Sequence, residues 1–413
     1  MNYYLVGIKG SGMASLALIL KGLGNNVKGS DVRTHLFTEE ELIKNDITIE
    51  SLDNMNCIDS DVIVVGNSFI NKYDFVGKDV ITYQEMVSYL CDKYYSIAVC
   101  GTHGKTTITN MIQHVLSNID DVSYLVGDGH GKGSKTSKYF VFEACEHRDH
   151  FLNYFPNIVV CDNVDYDHVE YFKNKKQYNK SFESFFNRAK DHLIINRNIK
   201  TKKEHISYGD KKSNFIVKNV IYLDKGIKFD LNIYNETHLN LTLPFYGKHM
   251  LNDALACISV CYTLNMDIPT IIKSLQTYTS AKRRYNKTII GSNVIIDDYG
   301  HHPSEINATI ESIKQEYKDK ELVIFYHPDR PKRLTTFLYK YQKVFKRAKQ
   351  TFVLPFISNG KDETNALISV IDDKKIKLYN EKYLNTNYEN TVFLLTGSKE
   401  MNNVINKLLL LLK

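Results

Sequence analysis

Short apolar runs that end abruptly in polar or glycine-rich residues recur along this chain. "YYLVGI", "DVIVVGNS", "YSIAVC", "YFVFEA", "NIVVCDN", "NVIIDDYG", "ELVIFYH", "TFVLPF" and "TVFLLTG" read as buried strands with their polar residues at the carboxyl ends. Between them lie stretches of helical spacing, among them Ser11–Leu23 and "HPSEINATIESIKQEY". Strands alternating with helices predict an α/β protein with parallel sheets. One segment differs. Between Phe215 and Pro244 the chain alternates apolar and polar residues, as in "GIKFDLNIYNETHLNLTLP", which predicts antiparallel strands before a helix over "GKHMLNDALACISVCYTL".

A chain of 413 residues exceeds one hydrophobic core, and the pattern divides into three α/β units. The expected boundaries are 1–93, 94–279 and 280–413. The first unit holds a strand at Tyr3–Ile8, the helix after it and a strand "NVKGSD" that ends at Asp31. The second opens at Tyr95–Cys100 and the third after "SAKRRYN".

Composition narrows the class of function. The chain is 43% hydrophobic and 24% charged, as in soluble globular proteins. A net charge of +6 suits an anionic substrate, and no basic tract with interleaved aromatics argues for nucleic acid. No apolar run approaches the ~18 residues of a membrane span, and "MNYYLVGIKGSGM" reads as a first strand rather than a signal peptide. The seven cysteines are scattered without a CxxC, and Cys257 and Cys261, one helical turn apart, read as core. The expectation is a reduced, cytoplasmic protein, monomeric or homodimeric, without membrane insertion.

Four clusters carry chemistry. In Gly7-Ile-Lys-Gly10-Ser11-Gly12, glycines before a helix let backbone N–H groups approach a phosphate. Asp31, closing the next strand, is placed for a sugar hydroxyl. The GxxGxG spacing is equally compatible with a plain turn. The second cluster, Gly101-Thr102-His103-Gly104-Lys105-Thr106-Thr107, sits between a strand and a helix. Its amides would cradle phosphates, Lys105 would reach the β- and γ-phosphates, and Thr106 or Thr107 would hold Mg²⁺. The third is "FEACEHRDHF" with "CDNVDYDHVEYF". Here Glu143 and Asn163 are expected at the ends of adjacent strands, with His168 on the following loop, as donors for a hard cation or as a solvated acidic loop. The fourth is "KRRYN" with "DDYGHHPSE". Arginines precede a strand ending in Asp-Asp, and His301, His302 and Pro303 open a helix. Arginine can neutralise a transferring phosphate and Asp298 can accept from a ribose.

In this order the clusters resemble the Mur ligases over nearly the whole chain. The resemblance rests on "GIKGSGM" with Asp31, "GTHGKTT", "EACE", the "N-D-DH" pattern, Gly247-Lys248-His249, "KRR" and "DDYGHHPSEINATIE". The last string and the "EACE" form are similar to the alanine-adding branch. The resemblance implies a Rossmann-like N-terminal domain, a central P-loop ATPase-like domain and a Rossmann-like C-terminal domain. It implies ATP-dependent joining of L-alanine to the lactyl carboxylate of UDP-N-acetylmuramate through an acyl phosphate, with Mg²⁺.

By position it gives Lys105 to the phosphates and Thr106, Glu143 and His168 to magnesium. Arg284 and Asp298 go to ATP, Gly10, Ser11, Gly12 and Asp31 to the UDP-sugar, and Arg330 and Arg333 to the amino acid or reacting carboxylate. The chain departs from the family pattern where Met250 and Asp253 replace asparagines, Asp329 replaces a histidine, and Gly397-Ser398-Lys399 stands for Gly-Ala-Gly. Two other readings stand beside this one: a muropeptide ligase using UDP-N-acetylmuramate, and an inactivated nucleotide-sugar binding relative.

Overall fold

The computed structural model describes residues 1–223, 225–328, 330–358, 361–362, 374–384 and 388–412. Three separate α/β sheets carry the chain. The first contains β1 (Asn2–Val6), β2 (Asn26–Asp31), β3 (Thr48–Ser51), β4 (Val62–Val65) and β5 (Asp79–Thr82) in spatial order β3-β2-β1-β4-β5, all parallel. The strand order reverses between β1 and β4. The crevice of a doubly wound sheet opens at that point, beyond the carboxyl ends, and the Gly7–Gly12 loop follows β1 there.

The second sheet contains β6 (Tyr95–Cys100), β7 (Val122–Leu125), β8 (Gly131–Lys132), β9 (Tyr139–Glu143), β10 (Ile158–Cys161), β11 (His192–Asn196), β12 (Ile206–Gly209), β13 (Phe215–Leu223), β14 (Gly226–Ile233) and β15 (Glu236–Leu243). Their order is β15-β14-β13-β12-β11-β10-β6-β9-β7-β8. The alternating segment forms the antiparallel ladder β13-β14-β15. Strand β6 lies between β9 and β10 and pairs parallel with both. Glu143 and Asn163 therefore follow strands on either side of the P-loop strand, not strands adjacent to each other. The crossover connections place β9 and β10 on opposite flanks of β6, which sequence order does not reveal.

The third sheet contains β16 (Asn286–Ile290), β17 (Asn293–Asp298), β18 (Glu321–Tyr326), β19 (Gln350–Val353), β22 (Ile376–Leu378) and β23 (Thr391–Thr396), ordered β16-β17-β23-β18-β19-β22. A small ladder of β20 (Ile357–Ser358) and β21 (Lys361–Asp362) stands apart from it.

The domains are closely docked. Helix Ser11–Gly22 of the first domain lies against β7 and β8 of the second, and Ser15 Oγ donates to the Val126 carbonyl at 2.7 Å. A Cβ on Gly131 would stand 2.2 Å from the Ser15 carbonyl oxygen, and one on Gly133 2.1 Å from that of Ile19. Only glycine permits this helix–strand approach. One apolar core runs from Leu5 and Leu16 through to Phe140 and Phe182. Helix Pro303–Glu316 of the third domain packs on helix Gly247–Thr263 of the second. No described helix is long and apolar enough to cross a membrane. Cys257 and Cys261 are buried, with sulfurs 4.0 Å apart.

Candidate active site

The turn after β6 is shaped by glycine. Gly104 has φ +80°, a left-handed conformation that strains any side chain, and a Cβ there would meet Asp253 Oδ1 at 2.7 Å. Gly104 caps helix Lys105–Ser117 without a side-chain acceptor, so the N–H groups of the first turn face an anion-binding seat. Asn163 braces the loop. Its Oδ1 accepts from His103 N–H at 2.9 Å, its Nδ2 donates to the His103 carbonyl at 3.0 Å, and its own carbonyl accepts from Thr102 N–H at 3.2 Å. Thr102 turns its hydroxyl inward to the Asp165 carbonyl at 2.7 Å, and Thr107 is buried in the helix.

Lys105 and Glu146 form the buried ion pair at the centre, 2.9 Å apart. Lys105 Nζ also donates to the carbonyls of Gly101 and Thr102. Burial alone would push this ammonium down, but the Glu146 carboxylate holds it above its ordinary value. Burial likewise opposes ionisation of Glu146, yet Lys105 and His168 hold its carboxyl down to about 2. Glu146 Oε1 accepts from His168 Nε2 at 3.1 Å. Burial would push the His168 imidazole down, but the carboxylates of Glu146 and Glu170 raise it to about 9.

Glu143 lies on the same side of the loop. Its Oε1 accepts from Gly127 N–H at 2.6 Å. Burial pushes its carboxyl up, and Gly127, Lys105 and the nearby Thr106 hydroxyl pull it back. Arg284 arrives from the third domain, its Nη2 donating to Thr106 Oγ1 at 3.2 Å and its guanidinium lying 4.9 Å from the Tyr299 ring. Lys105, Thr106, Glu143 and Arg284 thus share one site at the helix N-terminus.

The other sequence-predicted residues are differently engaged. Asp298 accepts from Tyr285 N–H and Gly300 N–H, each at 3.0 Å, and from Thr309 Oγ1 at 3.1 Å, all within its own domain. Asp31 accepts from the N–H groups of Lys9 and Val32, each at 2.7 Å, so it shapes the first glycine loop. Gly10 caps the helix of that loop, Ser11 opens it, and a Cβ on Gly12 would meet the Tyr83 hydroxyl at 2.9 Å. The Arg333 guanidinium makes a two-pronged pair with Asp167, at 2.9 and 3.1 Å, and is 2% exposed. Arg330 pairs with Glu170. Both arginines therefore bind acids of the second domain in this arrangement. Asp329 lies outside the described residues. The carbonyls of Gly397, Ser398 and Lys399 all accept from Arg283. Met250 packs against the second-domain core, while burial and Asp162 drive the Asp253 carboxyl well above its usual range beside the P-loop.

Sequence reasoning missed Glu146, Asp165, Asp167 and Glu305. The spacing of Glu143 and Glu146 carried a signal for the first: the strand ends at Glu143 and the chain turns into a 3₁₀ segment, bringing the second carboxylate back over the P-loop. His103 Nδ1 stands 3.3 Å from Glu305 of the third domain, and Ser304 Oγ donates to Asp165 Oδ2 at 2.5 Å.

The Mur ligase catalytic domain model matches residues 2–95 and the Mur ligase middle domain model residues 99–261. Solved structures extend the likeness across the chain. The UDP-N-acetylmuramate-alanine ligase MurC of Thermotoga maritima superposes with TM-score 0.82 at 22% identity, covering 99% of this chain and 98% of that one. A murein peptide ligase, mpl, of Psychrobacter arcticus gives 0.72 at 19%, covering 100% and 98%. The MurF ligase of Thermotoga maritima in complex with ADP gives 0.67 at 16%, covering 94% of each chain. At these identities the solved structures share the fold, and the two family models carry the kinship: the chain belongs to the Mur ligase family, ATP-dependent ligases that form C–N bonds.

Proposed function

We propose that this chain joins L-alanine to the lactyl carboxylate of UDP-N-acetylmuramate with ATP, giving ADP and phosphate, in peptidoglycan precursor synthesis. The supporting observation is the meeting of Lys105, Thr106, Glu143 and Arg284 at one helix N-terminus, with Arg284 supplied by the third domain.

In this reading the amides after Gly104 and the Lys105 ammonium receive the β- and γ-phosphates. Arg284 screens the phosphoryl group in transfer. A free carboxylate has an oxide-like leaving group, and phosphorylation supplies a better one. The alanine amine then attacks the carbonyl carbon and phosphate departs with one former carboxylate oxygen. The protein's task is to place two anions together and screen their repulsion. Gly10, Ser11 and Gly12 face the UDP-sugar, with Asp31 holding their loop.

Donors for a divalent cation stand at two neighbouring places. Thr106 offers a hydroxyl and Glu143 a carboxylate beside Lys105, while His168 Nδ1, buried without a hydrogen-bond partner, lies 3.6 Å from the Glu170 carboxylate in a cluster with His147. Thr106, Glu143 and His168 would hold Mg²⁺, which supplies charge neutralisation at the phosphates.

Phosphate release from ATP, Mg²⁺ and UDP-N-acetylmuramate, measured with a panel of amino acids and muropeptides, tests the assignment. L-alanine is expected to be preferred, over glycine and serine by roughly 10- to 200-fold, the discrimination one methyl or hydroxyl group permits. Release with a muropeptide and none with alanine would move the chain to the recycling branch. Failure with every acceptor, despite ATP binding, would indicate an inactive relative.

A further inference from the structure

Glu146 has no exposed surface, and the chemistry above gives it no task. Its two oxygens serve different partners: Oε2 accepts from Lys105 Nζ at 2.9 Å and Oε1 from His168 Nε2 at 3.1 Å. The remaining Lys105 donors go to two P-loop carbonyls, so a phosphate must displace one of three partners. On the other side, His168 Nδ1 is buried and makes no hydrogen bond, facing the Glu170 carboxylate 3.6 Å away in a cluster with His147. A histidine that ligates a metal through one nitrogen commonly donates the other N–H to a carboxylate, which fixes the tautomer and aims the lone pair.

We infer that Glu146 is a positioning residue that joins the phosphate lysine to the metal-ligating histidine. One oxygen anchors Nε2–H and so presents His168 Nδ1 to a divalent cation. The other holds Lys105 until phosphate draws it away. The inference rests on the roles proposed for Lys105 and His168.

The two halves have opposite signs. Cation binding is helped by the anchored imidazole and by a nearby negative charge. Binding of a metal-free nucleotide is opposed, because it must break the Lys105 pair and bring phosphate charge toward a buried carboxylate. Glu146→Gln keeps the shape, removes the charge and leaves one acceptor oxygen for two donors. In the absence of nucleotide, Mn²⁺ titration followed by electron paramagnetic resonance should show affinity about 10- to 100-fold weaker in the variant. In EDTA, calorimetric titration with ATP should show affinity about 2- to 10-fold tighter, the scale of relieving one like-charge contact in a partly buried site. A purely structural role weakens both.

Equal weakening of both ligands, or unchanged Mn²⁺ affinity, would overturn the inference. Glu146→Asp covers the case in which the glutamine variant does not fold. It retains the charge but is too short to reach both partners, so Mn²⁺ affinity should fall without any gain for ATP; unchanged Mn²⁺ affinity there overturns the inference equally. The substrate reading is judged separately. The split without phosphate release from any acceptor would reject the ligase assignment alone, and alanine-dependent release without the split would reject the role of Glu146 alone.

Discussion

At the scale of single residues, the site is an alternation of charges that burial would otherwise forbid. Lys105 stands between Gly101, Thr102 and Glu146, and Glu146 stands between Lys105 and His168. Lys105→Met removes the ammonium that would screen the transferring phosphoryl group, and ligation should fall on the order of 10²-fold or more. It also leaves Glu146 with His168 and the more distant Tyr178 hydroxyl, 3.5 Å away. Breaking a buried pair from one side destabilises by about 3–5 kcal/mol, and His168 limits that loss here, so the melting temperature should fall by less than this range implies. Phosphate-release kinetics and thermal unfolding of one preparation check both. Normal turnover, or an unchanged melting temperature, would show that the ion pair does not matter as described.

At the scale of elements, the glycines that carry the fold are contact glycines as much as turn glycines. Gly131→Ala forces a Cβ into the Ser15 carbonyl of the first-domain helix. Overpacking of this kind costs about 1–3 kcal/mol, and thermal unfolding should show that loss with the Gly7–Gly12 loop displaced; wild-type stability would contradict the docking. This contact was illegible in the sequence, because "GHGKG" resembles any polar turn until a helix from another domain is placed beside it.

Strands with buried faces were legible as apolar runs, as at Tyr95–Cys100, which matches β6 residue for residue. Edge strand β16 escaped because Asn286, Lys287, Thr288 and Ile289 are exposed and follow no apolar pattern. The glycine turn with Lys105 and Thr106, and Arg284, which donates to Thr106, stood out in the sequence because a phosphate-binding turn would restrict residue type and spacing. Glu146 and Asp167 did not, because their partners are far away in sequence: Lys105 lies 41 residues from the first and Arg333 166 from the second.

At the scale of the whole molecule, the third domain is held to the second by polar contacts around the P-loop. Arg333→Met would strand the buried Asp167 carboxylate, whose ionisation the Arg333 guanidinium favours against the effect of burial. The loss should approach the ~3–5 kcal/mol of a broken buried pair, read as a lower melting temperature for the third domain. A change confined to the KM for alanine would contradict this. His103 adds a pH dependence. It faces Glu305 and His302 across the same boundary and Asp165 of its own domain. Burial lowers its affinity for a proton, but Glu305 and Asp165 raise its imidazole to about 9. A raised value means that the stabilisation is complete below the unfolded value of ~6.5 and is lost as pH rises through about 9. The stability difference between wild type and His103→Asn should therefore shrink from pH 6 to pH 10. A constant difference would rule out the charged pair.

The central claim is that ATP phosphorylates the substrate carboxylate before the amine attacks. The most direct measurement labels the lactyl carboxylate of UDP-N-acetylmuramate with ¹⁸O and follows the isotope shift in the ³¹P spectrum of the released phosphate during turnover with ATP, Mg²⁺ and L-alanine. The account predicts one labelled oxygen in each phosphate released, with ADP as the other nucleotide product. Unlabelled phosphate, or AMP with pyrophosphate, would contradict it.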